Sequence, residues 1–243
     1  PRLYGARRMI ELTPIEIEAL WLSLKVAFWS VTISLPFGIA AAYLLARARF
    51  PGKWLVDGVI HLPLVVPPVV VGYLLLISFG KRGPIGGWLY DTFEFTLIFT
   101  WKGAAVAAAV MAFPLMVRAV RLSLEAIDRG LEAAARTLGA SEFRVLFTIT
   151  LPLAAPGIVT GAVLAFARSL GEFGATITFV SNIPGETQTL PLALYTMTQA
   201  PGGEAQAARL ALISIAIALL ALAASEWLAR RVHRKLRGEE MAQ

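Results

Sequence analysis

Arg168 and Glu172 stand four residues apart in the run FARSLGEFGA, with Gly171 between them and Gly174 just beyond. Two chemistries fit this spacing. One is a plain i,i+4 helix pair, worth about 0.2–0.5 kcal/mol in water. The other follows from the apolar run on its N-terminal side. A charge at mid-membrane depth costs about 2.5–3.5 kcal/mol, so such a pair turns towards an interface or a pathway. Glycines beside it let helices or backbone approach closely. In that reading Arg168, Gly171, Glu172 and Gly174 belong to an outer gate, not to a tight anion site. Other chemistries lack their residues. Cysteine is absent, and the two histidines, His61 and His233, are too distant in sequence to form a zinc site. The Gly-Lys pairs, Gly52-Lys53 and Gly80-Lys81, lack the upstream glycine and following Ser/Thr of a phosphate loop. Asp57, His61 and Glu226 fall near the ends of apolar stretches, which argues against a proton relay. No catalytic residue, metal site or cofactor is expected.

The elements that would carry this pair are membrane helices. Of 243 residues 57% are hydrophobic and 16% charged, against about 45–50% and about 25% in an average soluble domain. A span takes about 20 mostly apolar residues. Five stretches qualify: Ala19–Leu45, Trp54–Phe79, Phe95–Val117, Thr150–Ala167 and Ala208–Leu228. The expected fold is therefore an all-α membrane protein of five transmembrane helices. An N-terminal arm (1–18) precedes the membrane domain (19–229), and a basic tail (230–243) follows it. Trp21, Trp54, Trp88, Trp101 and Trp227 lie at segment ends, as interface anchors do.

Lys and Arg counts set the orientation. The link Arg47–Lys53, the link Arg118–Phe147 and the segment after Leu228 together hold thirteen basic residues. With five spans these three fall on one side, which is therefore cytoplasmic, with the N-terminus outside. Arg2, Arg7 and Arg8 of the arm run against this count. The net charge of +6 is thus read as topology and lipid contact, with no nucleic-acid partner expected. Between Gly171 and Gln206 two apolar pieces, Phe173–Val180 and Leu190–Ala200, are too short to cross. They read as a re-entrant segment packed in protein. Prolines punctuate the spans, and the mid-span pair Pro67-Pro68 suggests a broken helix facing a pathway.

The long connection Arg118–Phe147 reads as amphipathic helix. Leu122, Leu124, Ile127, Leu131, Ala134, Ala135 and Leu138 recur at helical steps, with Arg121, Glu125, Asp128, Arg129, Glu132 and Arg136 on the other face. Gly139 stops the helix and Ser141 starts the next. The unit is too small for a domain and too apolar on one face for water, so it is expected to dock into a cytoplasmic partner.

Ala134-Ala135, Gly139 and Ile149-Thr150-Leu151-Pro152 resemble the EAA loop of ABC importer permeases. The family pattern has Glu directly before the two alanines; here Ala133 stands there and Glu132 comes one position earlier. The docking shape then rests on the small residues and Gly139. RARFPGK (47–53), HLPLVVPPVVVGYLLL (61–76), RTLGA (136–140) and FARSLGEFGATITFVSN (166–182) resemble the molybdate/sulfate branch of these permeases. IPGETQT (183–189) and PGGE (201–204) resemble its molybdate members. The resemblance implies the MetI-like permease fold and a chain without enzymatic activity that pairs with a second copy. Two ATP-binding cassette ATPase subunits would dock on Glu132, Ala134, Ala135, Leu138, Gly139 and Ala140. An extracytoplasmic molybdate-binding protein would deliver the anion to a pathway near Pro67, Pro68, Arg168, Gly171, Glu172 and Gly174. Tungstate, of similar size and charge, and sulfate or thiosulfate are the alternative cargoes. An ion-coupled carrier acting alone and a membrane insertase are the alternative classes.

The orientation has a direct test, because a single engineered cysteine has no native thiol to compete with. A cysteine at Arg136 is expected to react with an impermeant maleimide from the cytoplasmic side only, and one at Glu186 from the outside only. Cytoplasmic labelling at position 186 would overturn the five-span reading.

Overall fold

A computed structural model describes residues 12–236. The arm residues Arg2, Arg7 and Arg8, and Arg237 of the tail, lie outside the described residues. Among the described residues every regular element is helical. The order is α1 (Pro14–Arg47), α2 (Lys53–Val65), α3 (Pro68–Phe79), α4 (Pro84–Phe93), α5 (Trp101–Glu125), α6 (Arg129–Thr137) and α7 (Glu142–Val145). A π-helical turn (Leu146–Thr150) leads into α8 (Leu151–Leu170), followed by α9 (Gly174–Val180), α10 (Leu190–Gln199) and α11 (Glu204–Leu236).

Local chemistry sets the starts. Thr13 accepts from the Glu16 backbone N–H, and the Glu16 carboxylate accepts from Thr13 N at 2.7 Å, a capping box with Pro14 at the first helical position. Thr100 caps α5, Asp128 caps α6 and Ser141 caps α7. Pro36, Pro63, Pro114 and Pro156 sit inside continuous helices. Only Pro67-Pro68 breaks the chain. A residue before proline is pushed out of the α region, Val66 is extended, and α3 leaves α2 at 114°.

Helix α5 is central, with 61% of its apolar stretch buried against 28% for α1 and 11% for α11. The first half of its buried face is mostly alanine: Ala104, Ala105, Ala107, Ala108 and Ala112. Lipid tails are as apolar as leucine, so close approach of small residues is what holds membrane helices together. At one end of α5, Leu22 and Val26 of α1, Val71 of α3 and Phe179 of α9 pack on Ala104 and Ala108. At the other end Val117, Val120 and Leu124 meet Ala42 and Leu45 of α1 and Ala154 of α8, with Val56 and Ile60 of α2 against them.

Among the described residues four helical stretches are long and apolar enough to cross a membrane: α1, α5, the continuous run Glu142–Leu170, and α11. The bent pair α2–α3 makes a fifth if taken as one crossing. Packing supports that count, since α2 lies on one end cluster of α5 and α3 on the other. The end that carries α6 and α7 is termed the loop end, the opposite one the far end. Segment 171–206 stays at the far end as a re-entrant excursion. Leu190 and Ala193 of α10 pack there on Ala19 of α1 and Leu210 of α11. Arg209 and Glu16 pair there at 2.8 Å.

One feature differs from the sequence expectation. Residues 118–125 continue helix α5 and do not belong to the connection, whose own helix starts at Arg129. On α1 the Lys25 ammonium lies 3.8 Å from the Trp101 ring centroid, where the π face stabilises a cation.

Helices α5 and α8 touch through Gly157, where an added Cβ would come within 2.9 Å of Ala119 O and closer still to Ser123 Cβ. Gly157→Val is expected to lower unfolding stability by about 1–3 kcal/mol through overpacking. A thermal melt in detergent reads this. Gly58→Ala, whose methyl meets nothing within 4 Å, is the control and should not lower the midpoint.

Candidate functional site

The residues singled out from sequence gather at the two ends of α8. This 20-residue helix is about 30 Å long at 1.5 Å per residue.

At the C-terminal end of α8 Arg168 Nη1 lies 2.8 Å from Glu172 Oε2. The pair is not a plain surface one. Helix α8 stops at Leu170, and the chain turns at Gly171. The Glu172 side chain is 2% exposed, against 30% for Arg168. Its other oxygen, Oε1, accepts from Ala175 N at 2.9 Å, so one carboxylate joins the end of α8 to the first turn of α9. Gly174 then meets the proline break: a Cβ there would lie 2.8 Å from Pro68 Cβ. One turn along α3, a Cβ on Gly72 would lie 2.5 Å from the carbonyl oxygen of Ala175, the next residue of α9. Glycines at both positions let α3 and α9 pack backbone to backbone. The structure thus brings Pro68, Arg168, Gly171, Glu172 and Gly174 into one cluster, with Pro67 at the bend beside it.

At the loop end α6 is amphipathic, but its faces are reversed relative to a soluble helix. Leu131 is 50% exposed and Leu138 89%, while Glu132 is 5% exposed. Phe143 and Phe147 extend the bare apolar ridge. Gly139, at φ +86°, takes the left-handed conformation that ends α6. Ala140 N donates back to Ala135 O at 3.1 Å, the six-to-one bond of a glycine-terminated helix. Ala134 and Gly139 are exposed, and Ala135 and Ala140 are half-buried. Leu124 and Ile127, assigned from sequence to the same apolar row, are buried inside the fold.

Glu132 is the one member of the docking set turned inward. Its Oε1 is 2.8 Å from Arg47 Nη2 and accepts from Thr150 Oγ1 at 2.9 Å. Sequence reasoning missed Arg47 and Thr150. It also missed the Ser30–Ser169 hydroxyl pair, 2.7 Å apart, which ties α1 to α8 in the buried core. None has a local signature, because the partners are 85, 18 and 139 residues apart. Arg47 was visible only as the first of the basic residues in the link 47–53, which says nothing of its partner. Among the described residues no group of three or more His, Asp or Glu is placed to hold a metal ion.

If Glu172 acts as a cap as well as an ion partner, the acceptor and the charge are separable. Glu172→Gln keeps an oxygen for Ala175 N; Glu172→Ala removes it and leaves Arg168 unpaired. The alanine variant is expected to be less stable than the glutamine variant by about 1 kcal/mol, the worth of a helix cap, in thermal unfolding of the detergent-solubilised protein.

Residues 34–234 match the model of a family described as the binding-protein-dependent transport system inner membrane component. The chain is 67% identical over 219 residues to the molybdenum transport system permease protein ModB of Escherichia coli, covering 90% of this chain and 96% of that one. It is 61% identical over 222 residues to its Haemophilus influenzae counterpart, covering 91% and 97%. A sulfate transport system permease protein, CysW of Synechococcus elongatus, is 41% identical over 175 residues, covering 72% and 61%. Among solved structures the fold is similar to the MetNI methionine ABC transporter in its inward-facing conformation. The TM-score is 0.70 at 19% identity, covering 90% of this chain and 96% of that one. The family match spans both candidate clusters, and the chain belongs to the inner membrane components of binding-protein-dependent transport systems.

Proposed function

We propose that this chain is the membrane-spanning permease subunit of an ATP-driven molybdate importer. It works as a pair of copies with two ATP-binding cassette ATPase subunits and an extracytoplasmic molybdate-binding protein. The names of the Escherichia coli and Haemophilus influenzae relatives, at 67% and 61% identity over nearly the whole chain, carry the cargo. The apolar ridge Leu131–Leu138–Phe143–Phe147 supports the ATPase partner. Leu138, 89% exposed next to a left-handed glycine, is a side chain that water does not favour and a complementary groove does. In this reading the loop end faces the cytoplasm, and Ala134, Ala135, Leu138, Gly139 and Ala140 form the docking surface. The Arg168–Glu172 cluster, with α9 seated against the Pro67-Pro68 break, is the outer gate.

The chain is to be co-expressed with its ATPase and reconstituted in liposomes, and ATP hydrolysis measured with purified binding protein. Molybdate-loaded binding protein should raise hydrolysis and drive molybdate uptake, and sulfate should not compete. Uptake without the ATPase would instead make the chain a carrier in its own right.

Gly139→Glu tests the docking surface. The position is open, with nothing within 4 Å of an added Cβ, and its φ is +86°. The chain should therefore still insert while a strained, charged turn meets the ATPase groove. Uptake is expected to fall at least about tenfold with weakened co-purification. Wild-type uptake would remove the loop from the interface.

A further inference from the structure

The buried contact at the loop end has no place in a docking surface, since Glu132 points away from it. We infer that Arg47, Glu132 and Thr150 form a transmission joint, through which displacement of α6 is passed to two membrane helices at once. This rests on the proposed docking of α6, and concerns what happens to that motion inside the chain.

The joint is built from three elements. Arg47 is the last residue of α1, Glu132 lies in α6, and Thr150 is the last residue of the π-turn that leads into α8. A single oxygen, Glu132 Oε1, receives both Arg47 Nη2 (2.8 Å) and Thr150 Oγ1 (2.9 Å). A second tie runs the same way: Arg129, the first residue of α6, donates from Nη2 to Ala46 O at 3.4 Å. The other ion pair of α6, Arg136 with Glu142 at 2.7 Å, is exposed and joins it to α7, which moves with it. Glu132 is its only buried residue, so the attachment is polar and geometrically defined, not an apolar seat that permits sliding.

Two features suit the joint to movement. A π-turn is one residue out of helical register, and such turns are frequent at functional sites. Here it separates α7 from α8, and Thr150 Oγ1 also lies 3.5 Å from Val145 O at its start. The joint is also incompletely satisfied. Arg47 Nε is buried with no acceptor in reach, and Arg47 meets Glu132 through one nitrogen where a guanidinium can offer two. A fully satisfied buried network is rigid; this one keeps a guanidinium donor that a shifted carboxylate could take up. At its other end α8 carries Arg168, whose partner Glu172 is bonded to α9. A pull on Thr150 therefore has a stiff path to the cluster at the Pro67-Pro68 break.

The test separates coupling from stability. Three chains are compared with wild type in the reconstituted complex: Glu132→Gln, Thr150→Val, and the double variant Arg47→Met with Glu132→Leu. The last replaces the ion pair by apolar side chains, so neither charge is left buried alone. The readout is the number of ATP hydrolysed per molybdate imported, with co-purification and thermal midpoint measured on the same samples. For a transmission joint this ratio rises at least about fivefold in all three chains while the ATPase still co-purifies. Arg47→Lys, which retains the charge, should stay within about twofold of wild type. An unchanged ratio in the double variant, whether or not its midpoint falls, would show that the contact only supports the fold and would overturn the inference. If the wild-type complex shows no stimulated hydrolysis, the proposed function itself fails, and that result is distinct from the first.

Discussion

A bilayer offers no partner for a charge or a bare backbone group at mid-depth, and this constraint organises the whole molecule. Most ion pairs of the described membrane helices sit at their two ends: Arg209–Glu16 at the far end, and Arg47–Glu132 and Arg121–Asp57 at the loop end. Arg168–Glu172 lies deeper, next to Ser169, whose hydroxyl meets Ser30 midway along α1, and beside the Pro67-Pro68 break. Elsewhere the helices are held by the alanine face of α5 and by Gly157 on α8. The bundle is therefore tightly packed, and its exchangeable polar bonds gather at the two ends and at the break.

That division suits a machine that must open on one side and then the other. Helix α8 runs from the loop end to the interior break, with a polar joint at each end: Thr150, just before its first turn, to Glu132, and Arg168 to Glu172. Neither joint is a simple surface salt bridge, a contact generally worth little. Each carboxylate is buried and engages partners on two different elements, so its loss would detach one segment from another. The two short helices beyond α8 and the break between α2 and α3 supply the backbone irregularity. Such irregularity is tolerated in a membrane only where it is packed in protein or lines a cavity.

If the ridge of α6 is the docking surface proposed above, a partner is written into this fold by what the fold leaves undone. In α6 the carboxylate is inside and the leucines are outside, the opposite of a helix designed for water. The arrangement is coherent once Glu132 is seen as the attachment to the membrane domain, and Leu131 and Leu138 as attachments to something else. The displacement of the acidic residue by one position relative to the familiar Glu-Ala-Ala order carries a structural meaning. At position 132 it faces Arg47 and Thr150.

The chain's own sequence determined the membrane class, the approximate spans, the re-entrant excursion after Gly171 and the two-helix unit around Gly139. Each of these depends on a signal that is local or periodic. Twenty apolar residues cannot be hidden elsewhere, a proline pair breaks a helix wherever it sits, and a glycine between two short helices adopts the left-handed turn. The sequence also marked Arg168, Glu172, Gly174 and Pro68 separately, without any means of joining them. Tertiary structure decided three things: that Glu172 caps α9 and so belongs to a junction, that α9 packs on α3 through glycines, and that Glu132 turns inward. The reason is the same in each case. Partners such as Arg47 and Glu132 meet only after α1, α5 and α8 have packed, and the depth at which a side chain is buried, which sets whether a charge is a surface ornament or a joint, is a property of that packing and of no shorter stretch of chain.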